Sequence, residues 1–104
     1  MSKNVIACFY DTVGDAVTSY QIFNSLGDFY RSVVKAAYDK SLPFYQFSSD
    51  YTVSIVGFLD NGKFLPCSET SKYTFAQIQA AGEGMDPNVN FNTSLFVSRL
   101  SEVL

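Results

Sequence analysis

The sequence predicts an α+β fold: an antiparallel sheet of about four strands, with one principal amphipathic helix packed across it and short helices towards the C-terminus. Three observations lead to this prediction. Segment 50–64 has the pattern of a β-hairpin, segment 25–39 has the apolar repeat of a helix, and segment 5–10 is apolar throughout, as a central strand is. At 104 residues the chain fits one domain, with a core over 4–82 and a glycine-containing link and C-terminal helix over 83–104.

The predicted hairpin begins with apolar and polar residues that alternate over 51–55, which directs one face of the strand towards a core. Asn61 and Gly62 tolerate the positive φ that tight hairpin turns require. The chain then returns as a second strand, which Pro66 ends or marks as a sheet edge. Gly57 indicates a bulge or twist in the first strand, or a close approach of a ligand or of backbone.

The remaining elements follow from shorter patterns. A strand over 17–23 is expected to pair antiparallel with the apolar strand over 5–10. The principal helix begins after Ser25, whose hydroxyl is expected to cap the helix while Asp28 reaches back as the partner of a capping box. Segment 41–49 is rich in rings and is either a loop or a short edge strand. Segment 74–81, which precedes a glycine, predicts a short helix.

Composition limits the possible partners. The net charge is −3 and the seven basic residues are scattered, so charge alone does not predict nucleic-acid binding. Aromatic residues make up 16% of the chain, as many as the charged residues. These rings form an aromatic-rich core, or some of them are exposed as stacking platforms or lie in a subunit interface.

Catalytic chemistry has little support in the sequence. The chain has no His, which removes the commonest general base and the usual zinc ligand. The candidates for paired carboxylates, Asp11, Asp15, Asp50 and Asp60, all lie beside predicted turns, where Asp is favoured for structural reasons. We therefore expect no enzyme, metal site or cofactor. Cys8 and Cys67 lack the CxxC spacing of redox or metal sites and are expected to be buried free thiols. We predict no signal peptide, no membrane segment and a cytoplasmic location.

The hairpin also carries a resemblance to a known family. The chain resembles the small non-structural protein of gokushovirus-type microviruses, which are phages with circular single-stranded DNA. The resemblance covers roughly residues 4–66, and the tail from Ser68 has no counterpart. Its motif residues in the hairpin are Asp50, Tyr51, Val53, Val56, Gly57, Leu59, Asp60 and Gly62.

The resemblance implies a phage accessory protein outside the capsid shell that binds single-stranded DNA during genome replication or packaging, in the cytoplasm of the host cell. We expect the chain to act as a homo-oligomer, and a phage replication or packaging protein is a further candidate partner, which the apolar C-terminal stripe and the low surface charge would suit. Such binding needs rings that stack on bases and cations that meet phosphates. The candidates are Lys3, Tyr20, Phe23, Arg31, Lys35, Tyr45, Phe47, Tyr51, Lys63 and Lys72.

The C-terminal segment raises an alternative function. Its apolar residues repeat at helical spacing, and such a stripe either folds back on its own domain or binds a second copy or another protein. If it binds outward, the protein is a homo-oligomeric interaction module without nucleic-acid binding. The candidate interface residues are Leu95, Phe96, Leu100, Val103 and Leu104.

Overall fold

The computed structural model describes residues 3–67 and 72–102, and it confirms the α+β class. Four strands form an antiparallel sheet in the order β2-β1-β3-β4, and the two-residue strand β5 also pairs with β3. Four helices complete the described part of the chain. The elements are β1 (Asn4–Asp11), β2 (Ala16–Phe23), α1 (Leu26–Tyr38), α2 (Pro43–Gln46), β3 (Tyr51–Asp60), β4 (Lys63–Pro66), β5 (Tyr73–Thr74), α3 (Phe75–Ala81) and α4 (Thr93–Glu102).

The hairpin from β3 to β4 turns at the predicted residues. Asn61 and Gly62 both have positive φ, at 53° and 79°, as a two-residue turn of this kind requires. Gly57 lies beside a register shift between β1 and β3, and the ring of Phe64 packs directly over it. A Cβ at position 57 would lie 2.4 Å from Cε1 of Phe64 and 2.9 Å from the carbonyl oxygen of Leu65. The glycine therefore permits both the bulge and a close approach of the protein's own ring and backbone.

The caps of two helices follow from local sequence. The hydroxyl of Ser25 accepts from the backbone N–H of Asp28, as predicted. The carboxylate of Asp28 accepts instead from Arg31, so the capping box expected at α1 does not form. A complete capping box occurs at α3, where Thr74 and Gln77 bond each other's backbone N–H groups.

Segment 41–49 is neither a loop nor an edge strand, because it contains the short helix α2. Pro43 occupies the first turn of this helix, where its missing N–H costs no hydrogen bond. The ring of Phe44 then stacks on Phe75 with centroids 4.4 Å apart and planes 13° apart. This contact anchors α2 on the core.

One hydrophobic core lies between the sheet and the helices. Val5, Ala7 and Phe9 alternate along β1 and are almost fully buried. The helices cover these side chains with buried residues of their own: Phe29, Val33, Val34, Ala37, Phe75, Ile78, Ala81, Phe96 and Leu100. In the described part of the chain, no helix is long and apolar enough to cross a membrane.

The C-terminal helix α4 belongs to this core. Phe96 is 0% exposed and Leu100 is 3% exposed, and the ring of Phe96 contacts Tyr30 and Phe91 with centroids 5.8 and 5.6 Å apart. For these two residues the stripe folds back on its own domain and is not available as an outward interface. Leu95 is 42% exposed, and Val103 and Leu104 lie outside the described residues.

Candidate nucleic-acid and protein interface

The second face of the sheet carries no helix layer in the described ranges. Along β1 the buried residues alternate with half-buried ones, and directly paired residues of antiparallel strands share a face. The strand registers therefore define the second face, which we call the open face. Its members are Asn4, Ile6, Cys8, Tyr10, Val17, Tyr20, Ile22, Thr52, Ser54, Gly57, Leu59, Phe64 and Pro66.

The open face presents large apolar side chains to solvent. Tyr20 is 63% exposed, Ile22 is 60% exposed and Phe64 is 50% exposed. Ile6 and Leu59 lie between them and are half-buried. No member of the open face carries a charged side chain. A group of exposed large apolar side chains on one face is typical of a surface that binds another molecule.

One cation lies at an end of the open face. The ammonium group of Lys72 is 5.7 Å from the centroid of the Tyr10 ring. The ring face of Tyr10 attracts this cation electrostatically. Tyr10 also donates its hydroxyl hydrogen to the carboxylate of Asp15. That hydrogen bond, followed by burial and by the negative charge of Asp15, raises the pKa of Tyr10 above its ordinary value.

The turn between β1 and β2 brings carboxylates to the same end of the sheet. The carboxylate of Asp11 accepts from the backbone N–H groups of Val13 and Gly14 at 3.0 and 3.1 Å. Asp15, with φ of 52°, closes this turn and engages Tyr10. Both carboxylates thus have structural partners within this turn and at Tyr10.

Some of the predicted DNA-contact residues lie on or near the open face. Tyr20 is on it and is the most exposed of its rings. Lys72 is at its end, over Tyr10. Lys63 is exposed and precedes Phe64 at the hairpin turn, and Lys3 is exposed just before β1. The face therefore combines several rings with few cations, and these cations do not form a cluster.

Other predicted rings lie elsewhere. Phe23 and Tyr51 face the helices and pack against the core, where Phe23 contacts Phe29 edge-on. They are not available as stacking platforms in this fold. Tyr45 and Phe47 are 36% and 53% exposed, in α2 and directly after it.

The predicted basic pair on α1 is separated from the open face. Arg31 and Lys35 lie on the side of α1 that points away from the sheet, and with Pro87 and Asn88 they line a shallow depression of about 260 Å³. Arg31 is already paired with Asp28. Because the helix layer lies between this pair and the open face, one short stretch of nucleic acid cannot contact both.

The sequence prediction of contact residues included only Tyr20 of the open face and left out its other large side chains, among them Ile6, Ile22, Leu59 and Phe64. An all-apolar strand such as β1 predicts cover on both sides, whereas only one side of it is covered by helices. The available signal was the small number of strong helical stripes, since one principal helix and two short ones cannot cover both faces of a sheet. Cys8 and Cys67 are free thiols as predicted, but they are half-buried rather than buried.

The described residues hold no group of three or more Cys, Asp or Glu side chains placed to bind a metal ion. Comparison of the chain with protein-family models, with curated proteins and with solved structures gave no match.

Proposed function

We propose that this chain is a non-catalytic accessory protein of a single-stranded DNA phage, which binds single-stranded DNA on the open face during genome replication or packaging. The observation that carries the proposal is the set of exposed rings on an uncharged sheet face with a lysine at its end. Tyr20 and Phe64 offer platforms for bases, and Tyr10 with Lys72 offers a ring and a cation together. The phage context comes from the resemblance of residues 4–66.

The distance between Tyr20 and Phe64 is too large for both rings to stack on the same base, so each would contact a different nucleotide of the bound strand. Tyr20 pairs with Cys8, whereas Phe64 pairs with Leu59, which in turn pairs with Asn4. Tyr20 and Phe64 are therefore separated by three strand spacings across the sheet and by four residues along the strands, which together give a distance of roughly 20 Å. A single strand that crosses the sheet diagonally would meet both rings, and its bases could stack on each one independently.

The expected affinity of one copy is low. Stacking on an aromatic ring contributes about 1–3 kcal/mol per base, so two rings supply roughly 2–6 kcal/mol, and 4.1 kcal/mol corresponds to a dissociation constant of about 1 mM. The few lysines neutralise few phosphates. Each neutralised phosphate of a single strand adds only about −0.7 to the slope of log K against log salt. We therefore expect weak binding with a shallow salt dependence.

The test is a titration of a labelled single-stranded oligonucleotide by fluorescence anisotropy, at low and near-physiological salt, with a duplex as the control. We expect a preference for the single strand. Tyr20→Ala should weaken binding by roughly 5- to 150-fold, which is the loss of one stacked base. Phe47→Ala is the matched control, because it removes an exposed ring that is not on the open face. Folded protein that does not bind at low salt would contradict the proposal.

A second candidate function has an observation of its own. The open face is aliphatic as well as aromatic: Ile6, Ile22 and Leu59 lie on neighbouring strands towards the end of the sheet where β1 begins, and no member of the face is charged. Such a surface suits a protein-interaction module that self-assembles and does not bind nucleic acid. Absence of DNA binding together with a solution mass above that of one chain would favour this function.

A further inference from the structure

The two edges of the sheet differ in how they are protected. The β4 edge is four residues long and contains Lys63 and Pro66, a charge and a residue without an N–H. The β2 edge is eight residues long, Ala16–Phe23, and contains no charged residue and no proline. Charges, prolines and short length are the usual means by which proteins prevent edge strands from pairing with other chains. The β4 edge has all three, whereas the β2 edge has none of them and carries only a bulge at Thr18, opposite the step from Phe9 to Tyr10.

The β2 edge is also accessible. Within the described residues its strand partner is β1 alone, and no loop or helix backbone hydrogen bonds to it. Six of its eight residues are exposed, and three of these have large apolar side chains: Val17, Tyr20 and Ile22. The outward N–H and C=O groups of β2 are thus available for a further strand.

We propose that two copies of this chain pair through β2, antiparallel about a two-fold axis, so that the two sheets become one continuous sheet. A two-fold arrangement uses the same strand twice and closes, because each β2 has one outer edge. In the described part of the chain, the edges left outside such a dimer are those at β4, which are short and carry Lys63 and Pro66. This explains why charge, proline and short length protect the β4 edge and not the β2 edge.

The side chains of β2 are suited to pairing with themselves. In an antiparallel pair, opposed residues share a face, so a register that matches the two open faces opposes Tyr20 with Tyr20 or Ile22 of the partner. Aromatic and β-branched pairs of this kind stabilise cross-strand contacts, and β2 has no charge that would be repelled by its copy. The two open faces then form a single surface. The dimer holds whether or not that surface binds DNA.

The first test is the solution mass by sedimentation equilibrium over roughly 10 µM to 1 mM, the range in which a small interface associates. We expect the mass to rise from the 11.5 kDa of one chain towards twice that value. The double variant Thr18→Lys/Gln21→Lys places like charges across the two-fold axis and should remain at the mass of one chain. The matched control Gln46→Lys/Ser98→Lys changes exposed residues of α2 and α4 by the same net charge and should dimerise as the wild type does.

The second test uses the wild type alone and does not depend on how a variant folds. Hydrogen exchange is compared at low and high protein concentration, and amides within 16–23 should become slower to exchange as the concentration rises. A mass of one chain at every concentration would overturn the proposal. A dimer that survives in Thr18→Lys/Gln21→Lys, or that protects no amide of β2, would also overturn it and would indicate stacking of open faces instead.

Discussion

Replacing Phe96 by Ala tests whether α4 is part of the core, as its burial indicates. The Phe96 side chain is 0% exposed and its ring contacts those of Tyr30 and Phe91. Truncating a buried Phe to Ala costs about 3–5 kcal/mol, from lost burial and from the cavity that remains. Domains of this size have a free energy of unfolding of about 5–15 kcal/mol, so the variant should keep only part of its stability. The loss corresponds to roughly 12–40 °C in Tm.

The assay is urea unfolding followed by circular dichroism, with wild type and variant compared at equal concentration. Leu95→Ala is the matched control on the same helix. Since Leu95 is 42% exposed, its truncation should cost below about 1 kcal/mol. If Phe96→Ala fails to fold, Phe96→Leu retains an apolar side chain and should give an intermediate loss. A Phe96→Ala variant within about 1 kcal/mol of the wild type would refute the assignment of α4 to the core.

Two further predictions concern local contacts. Gly57→Ala should lower the free energy of unfolding by about 1–3 kcal/mol, because the new Cβ meets the Leu65 carbonyl oxygen at 2.9 Å. The control Gly27→Ala, in the open first turn of α1, should be neutral or stabilising. Equal urea midpoints for the two variants would contradict this prediction. Ser41→Ala should raise the pKa of Asp39, which hydrogen bonds from the Ser41 hydroxyl and backbone N–H hold below its ordinary value. Because the folded-state pKa of Asp39 is depressed, these hydrogen bonds stabilise the fold above the unfolded pKa of about 4, and that stabilisation is lost as the pH falls through the folded-state pKa. The measurement is the NMR titration of Asp39, and a titration that is unchanged in Ser41→Ala would show that Ser41 does not lower this pKa.

Local signals predicted the elements that local chemistry decides. The turn at Asn61 and Gly62 was predictable because few residues accept positive φ, and the start of α1 was predictable because Ser25 caps an N–H three residues on. The hydrogen bond that Asp28 makes was not predictable, because whether its carboxylate accepts from the helix N-terminus or from Arg31 depends on side-chain positions within the formed helix.

Long-range packing decided the elements that sequence reasoning missed. Helix α2 has only four residues and little helical pattern, and it is fixed by the stacking of Phe44 on Phe75, which lies in a distant helix. Strand β5 likewise depends on pairing with β3 across a sequence separation of about twenty residues. Neither contact leaves a periodic signal in the segment itself.

The candidate site was predicted only in part, for a related reason. Tyr20 and Lys72 are near or on the open face, but Phe23 and Tyr51 have the opposite orientation on their strands and pack in the core. Because successive side chains alternate, a ring's exposure depends on which face the helices cover, and strand order and helix placement determine that together. Composition reveals an excess of rings but does not say which of them meet solvent.

The most direct test of the central claim is to locate bound DNA on the protein surface. A bromouracil-containing single strand is photocrosslinked to the wild-type protein, and the linked peptides are identified by mass spectrometry. We expect crosslinks to Tyr20, Tyr10 or Phe64 of the open face. Crosslinks confined to Phe47 or to the surface around Arg31 and Lys35, or none from folded protein at low salt, would contradict it.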